Sequence, residues 1–544
     1  MKSIWACGLR VAFALCFSAG ACAQVPVSAA ASAPAPDPAA EQGVRFDILE
    51  FDVEGNTVLK AEAIEAAVTP FLGLKKTIAD AEGARAALEK VYQNAGYLTV
   101  FVDLPEQRID GGTVRLAVAE GRVERLRVSG SHYFSQNYIR SKVPELSDGK
   151  VPNFNEVQRE LAAVNRTEDR RVQPIMRAGQ EPGTVETELK VDDQLPAGLS
   201  VELNDRHAAS TTPWRLVLSG HYDNLFQRDH SVSFSVTTAP EDTRQARVLS
   251  LNYLIPGDDQ SSWVLYAINS NSNVQTLGAV DVIGKGTILG LRHVSPLLST
   301  PDQNHSFTLG LDYKDLQNLT RTGTAQVATP LHYLPLSMAY NGSVDQGEGR
   351  SALVNVQMLA SLRPVLRRDV NCVGVSSDQF SCNRNGGDGG FATLRSDLRE
   401  TLALGPGRLQ LRLGAQVASG PVPSGEQYTI GGADSVRGYL EAEGAGDGAV
   451  LGSMEWRSRD LSSSSTTWPW RVSGLGFLDV ARAYTYEPAT GQAPHISLAG
   501  AGLGLRLNLR KSIAGDLDLA WPLKATVNTP LGRPRLHVRF SAQL

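Results

Sequence analysis

Few residues of this chain are spaced for covalent chemistry. Cys372 and Cys382 lie close together in a polar, glycine-rich stretch, Asn371 to Gly390. Two thiols so near one another in an oxidising compartment point to a loop disulfide. The alternative, a metal site, needs more ligands than two thiols, and no histidine lies nearby. The chain has no Gly-x-Ser-x-Gly elbow, no His-Glu-x-x-His and no phosphate-binding Gly-Lys-Ser/Thr loop. Gly284-Lys285-Gly286-Thr287 echoes the last of these but lacks the upstream glycine, and reads as a strand interruption. The sequence therefore reads as a non-enzyme with no cofactor and no metal. The string Gly431-Gly432-Ala433-Asp434-Ser435-Val436-Arg437-Gly438-Tyr439 sets an arginine, Arg437, among glycines, and its chemistry is non-covalent. A guanidinium binds a carboxylate through two parallel hydrogen bonds, which fixes direction as well as distance. Gly432 and Gly438 let the backbone turn and approach a wall. The plain alternative is an exposed turn with an unpaired arginine.

Such a string needs elements to position it. The chain has 544 residues, enough for several domains, and 42% of them are hydrophobic. The net charge of −5 and a pI near 6.0 give no basic footprint, so nucleic acid is an unsuitable partner. A mean hydropathy of −0.17 does not exclude a membrane, because spanning strands alternate apolar and polar residues. Residues 1–23 read as a secretory signal peptide. Lys2 and Arg10 supply charge, Val11 to Ala19 is a short apolar run, and Ala21-Cys22-Ala23 is a cleavage site. The run is too short to span a bilayer. A lipoprotein would need Cys22 as the first mature residue, and Ala19-Gly20-Ala21 lacks the usual large apolar residue. Cys7, Cys16 and Cys22 leave with the signal, so Cys372 and Cys382 remain. Residues 24–44 are rich in Ala, Pro and Ser and read as a flexible linker.

Residues 45–121 and 122–198 read as two small α/β modules in the order β-α-α-β-β. In the first, a strand over Phe46 to Val53 meets the turn Glu54-Gly55-Asn56. Helical patterns follow over Lys60 to Phe71 and Asp80 to Ala95. The second helix has Ala84, Ala87, Leu88, Val91 and Ala95 on one face and ends at Gly96. Strands over Tyr97 to Leu104 and Thr113 to Ala119 close the unit around Asp110-Gly111-Gly112. The second module has strands over Val123 to Val128, Val172 to Arg177 and Thr184 to Val191. Its helices cover Gln136 to Val143 and Asn155 to Asn165. Each module can bury one sheet face under two helices.

From Leu199 to the C-terminus the sequence shows no convincing helix, and alternating segments recur. Leu536, Val538, Phe540, Ala542 and Leu544 alternate with His537, Arg539, Ser541 and Gln543. Leu409, Leu411, Leu413 and Val417 alternate with Arg408, Gln410, Arg412 and Gln416, and Leu503, Leu505, Leu507 and Leu509 with Gly502, Gly504, Arg506 and Asn508. One lipid-facing row and one wet row are what a membrane barrel requires, and in lipid the sheet must close. Sixteen candidate strands begin near Leu199, Trp214, Ser231, Ala246, Ser262, Val280, His305, Leu331, Arg350, Gly390, Arg408, Ala449, Val472, Ser497, Ile513 and Arg535. Residues 199–544 are thus read as a transmembrane β-barrel of about 16 antiparallel strands. A soluble β-sandwich or β-helix would explain the alternation, but not the charges Arg412, Arg506 and Arg539 spaced along the polar rows.

The modules resemble the periplasmic polypeptide-transport-associated (POTRA) domains of two-partner secretion transporters, the hemolysin secretion/activation and filamentous-hemagglutinin transporter type. The first carries the resemblance in Phe51-Asp52-Val53-Glu54-Gly55-Asn56-Thr57-Val58-Leu59, Gly96-Tyr97-Leu98-Thr99 and Ala119-Glu120-Gly121-Arg122-Val123. Val436-Arg437-Gly438-Tyr439 resembles the signature at the tip of a long loop, here near 420–448, that folds back into the barrel in that family. The resemblance implies that Arg437 meets an acidic residue of the wall, within Phe477-Leu478-Asp479-Val480-Ala481. The family motif ends in glycine, and Ala481 leaves close backbone packing there in question. Glu455 and Arg457 share one strand face and extend the implied network. The resemblance implies an outer-membrane protein of a Gram-negative bacterium, seated in outer-membrane lipid and inserted by the barrel assembly machinery. Its POTRA-like domains would catch a large unfolded exoprotein, adhesin- or hemolysin-like, and the barrel would pass it outward. In some members secretion also activates a hemolysin. No nucleotide site is present to drive the step. Linker 24–44 is short for the N-terminal plug found in many members, which makes the loop the main gate. An assembly factor that inserts other barrels is the main rival, and usually has more or differently spaced modules. A small-solute porin would leave residues 45–198 unexplained. A non-membrane adhesin would not fractionate with the outer membrane.

Overall fold

The turn chemistry and helical spacing of residues 45–198 build two α/β modules, as a computed structural model of the chain shows, the second in the order β-α-α-β-β and the first with an added two-stranded pair. The structure describes residues 45–544 apart from 110, 166, 168, 258, 273–283, 323–324, 364–365, 367, 373–374, 463–469 and 510–511. The signal peptide and linker expected over 1–44 lie outside the described residues, as does Asp110 of the expected turn. Among the described residues two compact units emerge, 45–122 with Val151–Phe154, and Val123–Lys150 with Asn155–Leu544.

In the first module the long helix Ile78–Asn94 starts at a reciprocal cap. The Thr77 N–H donates to Asp80 Oδ2 at 2.8 Å. Its buried face is Ala81, Ala84, Leu88 and Tyr92, rotated slightly from the face read in the sequence. Tyr92, the bulkiest of the four, reaches back to Asn56 Oδ1 at 2.7 Å and so draws that face inward. Gly96, at a φ of 98°, then ends the helix. The single strand expected over Phe46 to Val53 is two. Phe46–Ile48 pairs with Gly73–Lys76, and Glu50–Glu54 runs parallel to Thr113–Glu120. The break falls at Leu49, where the N–H groups of Leu49 and Glu50 both reach the Gly112 carbonyl, at 2.8 and 3.3 Å. Gly-Leu-Lys-Lys at 73–76 has no alternation to betray it as a strand. Buried Glu120 accepts the N–H groups of Thr57 and Val58 at 2.7 and 3.1 Å, joining segments far apart in the chain.

The second module places its last strand, Thr184–Asp193, between Arg122–Ser129 and Arg170–Ala178. The first module likewise centres its last strand. Its core is Leu126, Phe134, Tyr138, Ile139, Val157 and Leu189 with their neighbours. At the strand end, Asp193 accepts the N–H groups of His132, Tyr133 and Phe134 at 2.8–3.0 Å. Buried Arg170 donates to Asp229, in a turn of the barrel, at 2.7 Å, with its guanidinium 4.6 Å from the Phe134 ring centre.

The barrel closes with sixteen strands among the described residues. They are β1 (Ala197–Asn204), β2 (Arg215–Leu225), β3 (His230–Thr238), β4 (Ala246–Pro256), β5 (Ser262–Ser272) and β6 (Gly284–Ser299). Then come β7 (Gln303–Thr322), β8 (Ala325–Tyr333 with Leu336–Gly347), β9 (Arg350–Ser361), β10 (Phe391–Leu404) and β11 (Gly407–Ala418). The last are β12 (Gly448–Ser458), β13 (Trp470–Tyr484), β14 (His495–Leu509), β15 (Ile513–Pro522) and β16 (Arg535–Gln543). The two pieces of β8 pair with the two halves of β7 and count as one strand, broken at Leu334-Pro335. Proline has no N–H for the ladder. β16 pairs with β1 from Ser200↔Gln543 to Asn204↔Arg539, which leaves no free edge. The lipid row is read directly from exposure. Leu413, Met454, Leu478, Val480, Leu503 and Leu536 are each more than 40% exposed, while Asp479, Glu455 and His537 on the alternate row are buried. Among the described residues no helix is long and apolar enough to cross a membrane, and the strands do the crossing. The region does hold one short helix, Gln379–Asn383, where the sequence suggested none. It follows Asp378, whose side chain accepts the Phe380 N–H at 2.9 Å, and five residues are too few to leave a periodic signal.

Candidate functional site

Because β1 follows directly on the second module, every odd-to-even connection lies at the far end of the barrel. The connection from β11 to β12 is one of these, and it turns inward. Its limbs pair as a short ribbon, Tyr428–Ile430 with Gly444–Gly446. The tip beyond it turns on Gly431, Gly432 and Gly438, whose φ values are 101°, 107° and 97°. Val436 and Tyr439 are fully buried and pack with Ile430 against Ala449, Leu451, Ala481, Ala483 and Leu498 of the wall. The Tyr439 hydroxyl accepts the Lys524 N–H at 3.1 Å and lies 2.8 Å from the carbonyl of the same residue.

Arg437 is delivered to the inner faces of β12, β13 and β15. Its Nε donates to Asp479 Oδ2 at 2.7 Å and its Nη2 to Oδ1 at 3.0 Å, a parallel fork on one carboxylate. Its backbone N–H donates to the same Oδ2 at 3.2 Å. Nη1 donates to Glu455 Oε2 at 2.7 Å, and Asp518 stands 3.7 Å away. The guanidinium lies 3.4 Å from the Phe477 ring centre, a cation–π contact. Ser453 Oγ donates to Asp479 at 2.6 Å, so the carboxylate is itself oriented. Val436, Arg437, Gly438, Tyr439, Phe477, Asp479 and Glu455 therefore converge. Arg457 enters the network through Glu455, donating from Nη2 to its other oxygen, Oε1, at 3.1 Å. Cys372 and Cys382 form a disulfide with a Cα–Cα separation of 5.7 Å, in the β9–β10 connection rather than at the tip.

Ala481 is not the point of close approach. Its methyl packs in the apolar cluster below Val436 and Tyr439. The backbone approach occurs one strand over, at Gly500, the register partner of Asp479. A Cβ on Gly500 would collide with the Arg437 carbonyl oxygen. Sequence reasoning missed Gly500, although Gly500, Gly502 and Gly504 form a side-chain-free wet row on β14. It also missed Asp518, one of two acids on the wet row of β15, and His537, whose Nε2 receives the Gly438 N–H at 3.0 Å. Arg206, just after β1, holds Asp434 of the tip at 2.9 Å. These partners come from strands distant in sequence, and no local spacing announces them. The loop does not fill the lumen. A cavity of about 850 Å³ remains, lined by inward residues of β2 to β10 such as Ser235, Ser250, Arg292, Asn355 and Asp397.

Comparison with known proteins gives concordant matches. A family model described as a POTRA domain, ShlB-type, matches residues 46–121. A second, the Omp85 superfamily domain, matches residues 224–542, more than half of the chain. The outer membrane transporter CdiB of Escherichia coli is 26% identical over 295 residues, 52% of this chain and 49% of that protein. Over that match the chain spans about half the length of its curated relative. The outer membrane transporter CdiB of Dickeya dadantii is 22% identical over 494 residues, 89% of this chain and 84% of that protein. Among solved structures, CdiB from Escherichia coli aligns with a TM-score of 0.58 at 18% identity, covering 94% of this chain and 93% of that one, a likeness of fold.

Proposed function

The chain belongs to the Omp85 superfamily of outer-membrane β-barrels, and we propose that it exports a large, unfolded partner protein in two-partner secretion. The observation that carries this reading is Arg437, buried inside a closed sixteen-stranded barrel and forked onto Asp479. An ion pair so placed holds a removable plug. It is directional, it faces the lumen, and it can open and re-form without breaking a strand pair. The modules face the periplasm, so the loop enters from the cell surface.

Exposed sheet edges on the modules can receive an extended chain by strand addition. In the first module these edges are Glu50–Glu54 and Val100–Asp103. The chain then passes through the lumen as the loop withdraws, and folding outside supplies the direction. The substrate class that fits is an adhesin- or hemolysin-like exoprotein. The curated relatives named as outer membrane transporters support export over barrel insertion.

Depletion of the chain distinguishes the two jobs. Export predicts that the exoprotein encoded beside it disappears from the medium while other outer-membrane barrels assemble normally. Failure of those barrels, with the exoprotein still appearing outside, would assign the chain to barrel assembly. Residues 24–44 are proposed to be a linker and not a plug. Their deletion should leave ion conductance unchanged, and a larger conductance would show that they block the pore.

A further inference from the structure

The folded-in loop is fastened a second time, far from Arg437, at the neck where it leaves and rejoins the wall. Asp447 is the last residue before β12 and is fully buried. Its Oδ1 accepts the Val422 N–H at 3.0 Å and Gln427 Nε2 at 3.3 Å, both from the opposite limb of the loop. Its Oδ2 accepts the Tyr486 N–H at 2.7 Å, from the β13–β14 connection, and Arg384 Nη2 at 2.8 Å, from the β9–β10 connection. Gln416 on β11 adds its Nε2, which donates to the carbonyls of Glu426 and Asp447, both at 3.0 Å. One carboxylate thus ties together three connections at the far end of the barrel.

Arg384 is presented by a braced piece of chain. It directly follows the helix Gln379–Asn383, and Cys382 of that helix is bonded to Cys372. Cys372 ends one arm of a small hairpin, Asp369–Cys372 with Val375–Asp378. Phe380 of the helix stands edge-on to Tyr333, with ring centres 5.9 Å apart, in a cluster that includes Val422 of the loop's limb. Gln379, also buried, donates from Nε2 to the carbonyls of His332 and Leu366, both at 2.9 Å. Glu426 in the same limb accepts from Lys314 at 2.5 Å and from the Tyr333 hydroxyl at 2.6 Å. Through Arg384 itself, and through Tyr333 against Phe380, the disulfide-bridged connection reaches the loop's neck.

We propose that Asp447 is a positioning residue for the folded-in loop, and that the connection bridged by Cys372–Cys382 is the clamp that holds it through Arg384. The loop is then locked at tip and neck independently, and withdrawal requires both to let go. A cross-link limits how far the clamp can fray and keeps Arg384 poised over Asp447. Reduction of that cross-link loosens the neck while the fork at Arg437 stays intact. This rests on reading the loop as the moving part, but its test does not use transport.

Hydrogen exchange of the purified processed chain, without residues 1–23, in detergent, with and without reductant, reads the neck directly. The Val422 and Tyr486 amides bonded to Asp447 are the reporters. Beyond residue 22 the chain has no cysteines except Cys372 and Cys382, so a reductant acts on this bond alone. Reductant should speed exchange of the two reporters about tenfold in the wild type, the scale of one lost hydrogen bond to a charged group. Arg384→Gln should match that speed without reductant and gain nothing from it, and Asp447→Asn should behave alike. Arg437→Ala should free amides 431–439 and leave the reporters slow. Equal acceleration by reductant in Arg384→Gln and the wild type would overturn the clamp, as would either neck variant exchanging like the wild type. A failure of secretion to depend on this chain would refute the transport reading and leave the exchange result untouched.

Discussion

At the scale of single residues, the account turns on why position 437 is an arginine. The fork on Asp479, the third bond to Glu455 and the stacking on Phe477 use the planar shape of the guanidinium as well as its charge. Removing it would leave Asp479 buried and uncompensated, a change worth about 3–5 kcal/mol. Arg437→Lys separates shape from charge. It should keep the barrel assembled, weaken the seat by about 2 kcal/mol and give secretion between that of wild type and Arg437→Ala. Secretion equal to wild type would mean that any cation suffices. Asp479, Phe477 and the tip string were legible in the sequence through their resemblance to a family motif. Asp518, His537 and Gly500 were not, because the barrel brings them from strands with no local relation to the tip.

At the scale of elements, the wall is shaped for the loop. Gly500→Ala adds one methyl to the inner face of β14, where it meets the Arg437 carbonyl and not a flexible side chain. The strand tolerates alanine, so the barrel should fold and migrate normally while exchange across 431–439 accelerates. Unchanged exchange would show that the tip does not press on β14. The alternation of apolar and polar residues announced the strands, since lipid on one side and water on the other impose period two. It could not announce Gly73–Lys76, too short and polar to alternate, nor the break at Leu49 imposed by Gly112. In the second module, burial alone would push the Asp193 carboxyl up. The three backbone N–H donors of His132, Tyr133 and Phe134 outweigh it and hold the pKa below the usual aspartate range. A lowered folded pKa gives stability that is present above the unfolded value, about 3.9, and lost as pH falls through the folded one. The melting temperature of Asp193→Asn should therefore lie below that of wild type at neutral pH, and the gap should narrow as pH falls below about 4 and close only below the lowered folded pKa. A gap that persists at low pH would show that charge at Asp193 does not hold the module together.

At the scale of the whole molecule, three features combine: α/β modules with unpaired sheet edges, a closed barrel with a lipid-facing row, and a loop locked inside it by ion pairs. The modules and the barrel were legible in outline, because binary patterning fixes the class of each region, and the folded-in loop was legible through its resemblance to a family motif. The lock's full set of partners was not, because long-range pairing decides it. The central claim is that the Arg437 lock serves passage of a partner protein and not assembly of the barrel. The measurement that tests it most directly is the amount of the partner exoprotein in the medium, compared between wild type and Arg437→Ala, with heat-modifiable gel migration scored in the same membranes. The account predicts normal migration in both and loss of the exoprotein from the medium in Arg437→Ala. Normal secretion by Arg437→Ala, or disappearance of the folded barrel along with secretion, would contradict it.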